Sequence, residues 1–522
     1  MASVATQVDV IVVGGGLSGL TAAREVRKQG LKVAVLEAND RVGGRTFTMT
    51  GPDYGWADLG ASFVGSAQKH IVKLIDELGI KTIECFNDKD RVHYSKGRQF
   101  RYRSEWPTLW SNPLATWEVK EMTRRMDRMC REIPIDCPWE APRAREWDQM
   151  TVQEFIVSNC WTEDAAEFLT SMCNINNTAD AHELSLLFYL WYMRQGHGID
   201  CLWAIKDGAQ EWRVQGGTQQ ISIKMAKQLG GRVHLGDPVV YVQYTDQGVT
   251  VRTLGGKVFR GQYAILAVPP PTQLKMHFDP PLPPLRNSLL QRIPMGLVMK
   301  CLVFYDHPFW IEKGYNGFVT CYDGIEIVNH VTEDLKPGVR LAGVICFVYG
   351  DHAIKLSKFD TEGRKKAVCL SLARFYKSEE ALVPAHYVDK LWSQEQYIGG
   401  CYTCYYPPGS LSRYGPALRA PIGKRIFLAG TETAMEWTGY MSGAVEAGQR
   451  AANEVLQAAG KVCSTERHLR HDEPERVQLS SSLLIPVLDF VRPNIRHLAA
   501  VVTAGIAITS TFLLFQTEPF LE

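Results

Sequence analysis

Val8-Asp-Val-Ile-Val-Val13, followed at once by Gly14-x-Gly16-x-x-Gly19, is the stretch that decides the fold. Its six residues are almost all apolar and mostly β-branched, so they read as a strand buried on both faces of a parallel sheet. Leu17 to Gln29 reads next as a helix closed by Gly30, and Leu31 to Leu36 as a second strand ending in Glu37. The glycine spacing alone is a weak signal. Strand, helix and an acid 18 residues beyond Gly19, in that order, make it a dinucleotide-binding βαβ unit. Gly14 permits the tight turn, Gly16 lets the backbone approach a pyrophosphate, and Gly19 lets helix and sheet pack closely. The helix N-terminus then faces phosphate charge while Glu37 accepts from ribose hydroxyls. The alternative is a glycine-rich turn with no ligand, and the fingerprint does not separate NAD from FAD.

Around this unit lies a chain of 522 residues, long enough by length alone for two to four domains. Its 57 Lys+Arg against 56 Asp+Glu leave a net charge of +1, so the basic surplus of a nucleic-acid binder is missing and no nucleic-acid partner is expected. Hydrophobic residues at 45% and charged residues at 22% are ordinary globular values. The 13 cysteines have no framework spacing, which makes reduced thiols the default. One pair, Cys401-Tyr-Thr-Cys404, has redox spacing, but Tyr405-Tyr406-Pro407-Pro408 follows it where a redox pair would open a helix. No second cysteine pair or His-x-x-x-His completes a zinc site, so no metal is expected.

The C-terminal end has a different character. Leu498 to Phe515 carries no charge over 18 residues. At about 1.5 Å per residue a helix of that length spans roughly 27 Å, close to the hydrocarbon thickness of a bilayer. A polar, proline-broken linker precedes it, and Arg492, Arg496 and His497 stand before the span with only Glu518 and Glu522 after it. The positive-inside bias then leaves the large N-terminal body in the cytosol, with a transmembrane tail anchor in a lipid bilayer. The alternative is a buried amphipathic helix.

Three further stretches narrow the cofactor. Arg41-Val-Gly-Gly-Arg-Thr46 begins four residues after Glu37, Arg425-Ile-Phe-Leu-Ala-Gly430-Thr-Glu-Thr433 reads as a strand running into a turn, and Gly443 to Ala452 reads as a helix of small residues. The most specific stretch is Glu395-Gln-Tyr-Ile-Gly-Gly-Cys401-Tyr402-Thr403. Together with Asp58-Leu-Gly-Ala-Ser62, Trp437-Thr-Gly-Tyr440-Met and the tail, it resembles the monoamine oxidases among FAD-dependent amine oxidases, over nearly the whole of residues 8 to 460.

The resemblance implies FAD attached covalently through an 8α-S-cysteinyl bond to Cys401. It implies cofactor contacts from Gly14, Gly16, Gly19, Glu37, Arg41, Gly44, Arg45, Val239, Trp392, Gly430, Thr431 and Met441. Gly399 and Gly400 would let the chain approach the dimethylbenzene edge of the ring. Cys404 becomes a small apolar packing residue. The catalytic set implied is Lys300, Tyr402 and Tyr440: two tyrosines that flank the amine and polarise it through their π faces, and a lysine bridged through water to the flavin. Taken by themselves, both tyrosines read as core aromatics. Lys300, inside the apolar run Leu297 to Tyr305, reads as an edge-strand residue with its ammonium in solvent.

Between residues 84 and 210, and again between 290 and 394, composition turns aromatic and helix-like. The implied fold class is α/β and α+β. A Rossmann-like FAD-binding domain is assembled from 1–83, 211–289 and 395–460, interleaved with a mixed-sheet and helical substrate-binding domain of 84–210 and 290–394. A linker over 461–497 and the transmembrane helix 498–515 complete the chain. The resemblance places Ile175, Asn176, Leu202, Trp203, Gln210 and His330 along the substrate cavity. Trp203 is bulkier, and His330 and Asn176 more polar, than the family usually shows. Cys160, Cys369 and His386 match sensitive positions and read here as structural. Asn176-Asn-Thr178 matches a glycosylation acceptor that a cytosolic body would never have modified.

The activity implied is oxidative deamination of primary arylalkyl amines, such as serotonin, dopamine, tyramine or phenethylamine, with O2 as electron acceptor. Aldehyde, ammonia and hydrogen peroxide are the products. Two other readings stay open: a polyamine or amino-acid oxidase on the same fold, and a flavoprotein scaffold without turnover. The mitochondrial outer membrane is the implied location, with the endoplasmic reticulum as alternative because the tail lacks distal basic residues. A homodimer is compatible with the resemblance.

Overall fold

The computed structural model describes residues 5–104, 112–322 and 324–461. The chain divides into the units Met1–Cys463 and Ser464–Glu522. The second unit, and with it the expected membrane helix 498–515, lies outside the described residues, as does the linker beyond Lys461. Among the described residues no helix is long and apolar enough to cross a membrane.

Strand Val10–Val13 is the centre of a five-stranded parallel sheet whose order is Val233–His234, Val33–Leu36, Val10–Val13, Tyr263–Leu266, Ile426–Leu428. All four residues of Val10–Val13 are buried, as a strand covered on both faces requires. The expected strand starts two residues late, because Val8 donates to the Arg260 carbonyl of a second sheet and the Asp9 carboxylate accepts from Lys32 N. Helix Leu17–Lys28 follows, ends at Gln29 and is closed by Gly30 in a left-handed conformation (φ +80°).

The sheet draws on strands from 10 to 428 because each needs a parallel neighbour. Its two distant ends meet directly: Gly430 N donates to Ser18 Oγ at 2.9 Å, across 412 positions. Helix Met441–Ala458 packs on helix Leu17–Lys28, with Gly448 set against the Ser18 carbonyl. That helix is longer than the small-residue run 443–452 suggested, starting at Met441 and running on to Ala458.

A second sheet orders Thr6–Gln7, Val258–Gly261, Gly248–Thr253, Val239–Thr245 and His277–Asp279. The segment 290–394 carries helices Asp351–Ser357 and Thr361–Tyr376 but is less helical than its composition suggested, since it also contributes five strands of a seven-stranded sheet, in keeping with a mixed-sheet and helical domain. The order there is His386–Leu391, Val298–Tyr305, Ala342–Tyr349, His330–Asp334, Tyr315–Cys321, Asp90–Ser95, Arg98–Tyr102. Its aromatic residues serve both kinds of element, Phe304, Phe318 and Phe347 on strands and Phe375 and Tyr376 on helix Thr361–Tyr376. Between 113 and 195 the helical reading holds, with Pro113–Arg131, Glu163–Asn177 and Leu186–Gln195 as the longest helices.

The edge-strand reading of Lys300 is overturned. Strand Val298–Tyr305 is buried along its whole length and paired on both sides, Lys300 lying opposite Phe347 on one neighbour and Lys390 on the other.

Candidate active site

One cavity of about 440 Å³ runs between these sheets. Of the residues singled out from sequence, its lining gathers Gly14, Gly16, Glu37, Gly44, Arg45, Val239, Trp392, Gly430, Thr431 and Met441. The same lining holds Lys300, Cys401, Tyr402, Tyr440, Ile175, Asn176, Leu202, Trp203, Gln210 and His330. Gly19 and Arg41 are outside the lining. Gly19 packs under the turn against Ala267, as helix–sheet contact requires. Arg41 acts from behind, donating to the carbonyls of Gly44 (3.1 Å) and Thr46 (3.3 Å).

At the dinucleotide turn, Gly14 has φ +110°, and a Cβ there would lie 2.7 Å from the Ala267 carbonyl. A Cβ on Gly16 would meet no described atom closer than 4.0 Å, so the room it leaves belongs to the cavity. The Glu37 carboxylate accepts from Gly15 N at 2.5 Å and from the backbone and side-chain nitrogens of Asn39 at 2.9 and 3.0 Å. A carboxylate has about four acceptor positions, which leaves one for a ribose hydroxyl. Helix Met441–Ala458 also turns its N-terminus to the cavity, with Tyr440 as the capping residue and the Thr431 hydroxyl donating to the Tyr440 carbonyl at 3.0 Å. These partial positive charges suit an anionic group. The residues present therefore fit FAD: a cradle at Gly14 to Ser18, a ribose acceptor, and a cavity that continues unbroken to Cys401.

Cys401 is held by its neighbours on all sides. Gly400 has φ +153°, and a Cβ there would fall 2.5 Å from the Gly296 carbonyl and 2.7 Å from Met295 Cβ. Only glycine lets these segments come together. Cys401 N donates to that same Gly296 carbonyl at 3.0 Å, and the Cys401–Tyr402 peptide is cis. The Thr178 hydroxyl donates to the Cys401 carbonyl at 2.6 Å and accepts from Tyr402 N at 3.0 Å. Arg45 donates to the Tyr402 carbonyl at 2.8 Å and to both Glu432 oxygens at 2.5 and 3.0 Å. Burial pushes the Cys401 thiol up to about 12 against the pull of Arg45, so it stays protonated at neutral pH. Cys404 is buried against Met295, as a packing residue should be. The 12 cysteines of the described residues are all free thiols.

Tyr402 and Tyr440 enter the cavity from different segments. Tyr402 stands edge to face with Phe347 at 6.5 Å, and Tyr440 with Trp437 at 5.2 Å. The Tyr440 hydroxyl lies 3.3 Å from that of Tyr192, which in turn donates to the Asn176 carbonyl at 3.2 Å. Burial raises both phenols, Tyr440 to about 12, so both keep their protons.

The Lys300 ammonium donates to the Gly60 carbonyl at 2.8 Å and the Ser62 hydroxyl at 2.6 Å, and sits 5.5 Å from the Phe347 ring centroid. Burial lowers it to about 8, with Asp58 pulling the other way. Asp58 is raised by its own burial while Thr48 and Thr218 hydrogen-bond it. Sequence reasoning quoted the Asp58–Ser62 stretch without giving these two a task, and missed Thr178, Tyr192 and Glu432 as supports. Glu432 was legible in the 425–433 motif. Thr178 was visible only as the third residue of a glycosylation match, and Asn176 in that match is buried. Cys160 and Cys369 are buried, and His386 stacks on Tyr54 at 4.9 Å, all outside the cavity lining.

The model of the family "Flavin containing amine oxidoreductase" matches residues 17–456, and the chain belongs to that family. Among curated relatives it is 44% identical over 483 residues to a flavin-containing amine oxidase of Oncorhynchus mykiss, covering 92% of this chain and 91% of the relative. It is 44% identical over 472 residues to flavin-containing amine oxidase B of Homo sapiens (90% of each chain) and 43% over 469 residues to form A of Bos taurus (90% and 89%). Among solved structures, wild-type putrescine oxidase bound to putrescine superposes with a TM-score of 0.82 at 32% identity, covering 87% of this chain and 100% of the other. Cyclohexylamine oxidase from Brevibacterium oxydans IH-35A gives 0.82 at 31%, covering 87% and 99%. The protein is thus an FAD-dependent amine oxidase.

Proposed function

We propose that this enzyme oxidatively deaminates primary arylalkyl amines, serotonin, dopamine, tyramine and phenethylamine among them: amine, O2 and water give aldehyde, ammonia and hydrogen peroxide. The observation that carries the reading is the meeting of Cys401, Tyr402, Tyr440 and Lys300 around one cavity continuous with the dinucleotide turn. Cys401 would hold FAD through a thioether to its 8α carbon, and the bound group would supply the two-electron acceptor that passes electrons on to O2.

The chain's own residues do the rest. Tyr402 and Tyr440 receive the amine between aromatic faces with no carboxylate to lock it as ammonium. The walls contributed by Ile175, Leu202, Trp203 and Phe347 exclude water. Lys300, poised near neutrality, holds a proton at Nζ where oxygen chemistry can use it. Two features speak against the other oxidase readings. Among the described lining residues Arg45 is the one arginine, and Glu432 engages it, so no free guanidinium clamps a substrate carboxylate. Of the two carboxylates in the described lining, Glu333 is engaged by Arg213, Phe86 N and Leu335 N, and Glu37 at the dinucleotide turn keeps its one remaining acceptor position for the ribose, so a diamine's second ammonium has no carboxylate set aside for it.

In this reading residues 1–83, 211–289 and 395–460 form the FAD domain and 84–210 with 290–394 the substrate domain. Residues 498–515 anchor the enzyme in the mitochondrial outer membrane, or in the endoplasmic reticulum, with the catalytic body in the cytosol. The decisive test is denaturation of the purified protein followed by peptide mapping. Yellow absorbance should stay with the peptide that contains Cys401 and be lost in Cys401→Ala. Colour released by denaturant from the unsubstituted enzyme would overturn the covalent assignment.

A further inference from the structure

The substrate cavity contains a histidine whose hydrogen bonding is half spent. His330 Nδ1 lies 2.9 Å from the Val319 carbonyl. A carbonyl can only accept, so the proton of the ring must sit on Nδ1, and Nε2 is left as a lone-pair acceptor. His330 lines the cavity, and its ring is sandwiched by aromatic neighbours: Phe318 edge-on at 4.8 Å and Phe347 stacked at 5.7 Å. Burial lowers the imidazole to about 4, so it is neutral across the working range and keeps that lone pair. Gln210 repeats the pattern in the same lining. Its Nε2 donates to the Leu202 carbonyl at 3.1 Å, which fixes the amide orientation and leaves Oε1 buried with no hydrogen-bond partner. Each side chain has thus tied a donor to backbone and kept an acceptor.

Phe347 links this region to the amine end, because the same ring meets Tyr402 at 6.5 Å. A slot of aromatic walls with an acceptor two ring contacts from the tyrosine pair matches a molecule with an amine at one end and a hydrogen-bond donor on the far side of an aryl ring. We propose that His330 is a specificity-determining acceptor for an aryl hydroxyl, with Gln210 Oε1 a second unpaired acceptor in the same lining, so that the enzyme prefers ring-hydroxylated arylalkyl amines over their unhydroxylated counterparts. This rests on the arylalkyl-amine reading above and narrows it. An apolar pocket rejects a missing hydroxyl weakly, whereas a site with a committed acceptor rejects it more strongly, because the acceptor is then left buried and unpaired.

The test compares kcat/KM for tyramine and phenethylamine, which differ by one para hydroxyl, in the unsubstituted enzyme, His330→Leu and His330→Gln. We expect a tyramine preference of about tenfold, the worth of one such hydrogen bond. That preference should fall to near unity in His330→Leu and be partly kept in His330→Gln, which retains an acceptor. Bound-flavin absorbance shows that each variant is folded. A second readout needs neither turnover nor variants: calorimetric affinity of the holoenzyme for tyrosol against 2-phenylethanol, alcohols with no amine, should favour tyrosol by a similar factor. Equal affinities, or a rate ratio unchanged in His330→Leu, would overturn the proposal. If neither amine is oxidised, the arylalkyl-amine reading is what fails, and the two alcohols still decide the subsite.

Discussion

Lys300 Nζ donates to Ser62 Oγ at 2.6 Å across 238 positions of sequence. Burial brings the amine down to about 8 while the charge of Asp58 opposes it; an acceptor such as the Ser62 hydroxyl likewise favours the ammonium form. Ser62→Ala and Asp58→Asn should therefore move a Lys300-dependent inflection in the pH–rate profile to lower pH. Lys300→Met should abolish it and slow reoxidation by O2 with flavin still bound. An identical pH profile in all three variants would remove the proposed role. Between about 8 and the ordinary 10.5 the unfolded chain holds the proton that the folded one has released, so stability rises with pH across that window. Below it the folded state bears a cost of roughly 3 kcal/mol at most, and Lys300→Met should be the more heat-resistant protein at pH 7.

Buried Glu432 and half-buried Arg45 form a two-pronged pair, and Arg45 also fixes the Tyr402 carbonyl. Removing one partner strands the other charge. Glu432→Ala is expected to destabilise by about 3–5 kcal/mol and to lower activity, measured by thermal inactivation and kcat with a saturating amine. A loss below about 1 kcal/mol would mean that the pair is screened and that the loop holds Tyr402 without it.

Thr178 is the hinge of the Cys401 loop, donating to one peptide group and accepting from the next. Thr178→Val keeps the shape and removes both contacts. The expected cost is about 1–3 kcal/mol in a denaturant titration, with a smaller fraction of covalently bound flavin after expression. Thr178→Ser should restore both readouts. If serine behaves like valine, the methyl group and not the hydroxyl is what matters.

For the C-terminal segment, truncation after Glu475 should move the enzyme from the membrane fraction to the soluble fraction while leaving kcat unchanged. Membrane retention after truncation would require another surface to insert.

How much of this was legible in sequence divides along a physical line. The dinucleotide turn could be read because strand, glycines, helix and acid are close together in the chain and each has one steric or electrostatic task. The Cys401 loop could be found but not explained. Its supports come from Thr178, Gly296 and Arg45, and no local pattern reports a contact between segments 223 or 357 positions apart. Lys300 failed as a local reading for the same reason: a lysine in an apolar strand belongs at an edge unless distant residues supply acceptors, and Gly60 and Ser62 do. The balance of strand and helix in 290–394 was not legible, because aromatics suit strands as well as buried helices.

The dispersal of the parallel sheet along the chain also bears on how the enzyme is made. Its first strand leaves the ribosome early, yet the edge strand Ile426–Leu428 and the covering helix Met441–Ala458 come near the end. At about 5–20 residues per second, synthesis up to Ala458 takes roughly 20–90 s. For that interval Val10–Val13 has no completed sheet to join, and the nucleotide cradle cannot be finished. Cofactor loading therefore has to wait for the late strand and its covering helix.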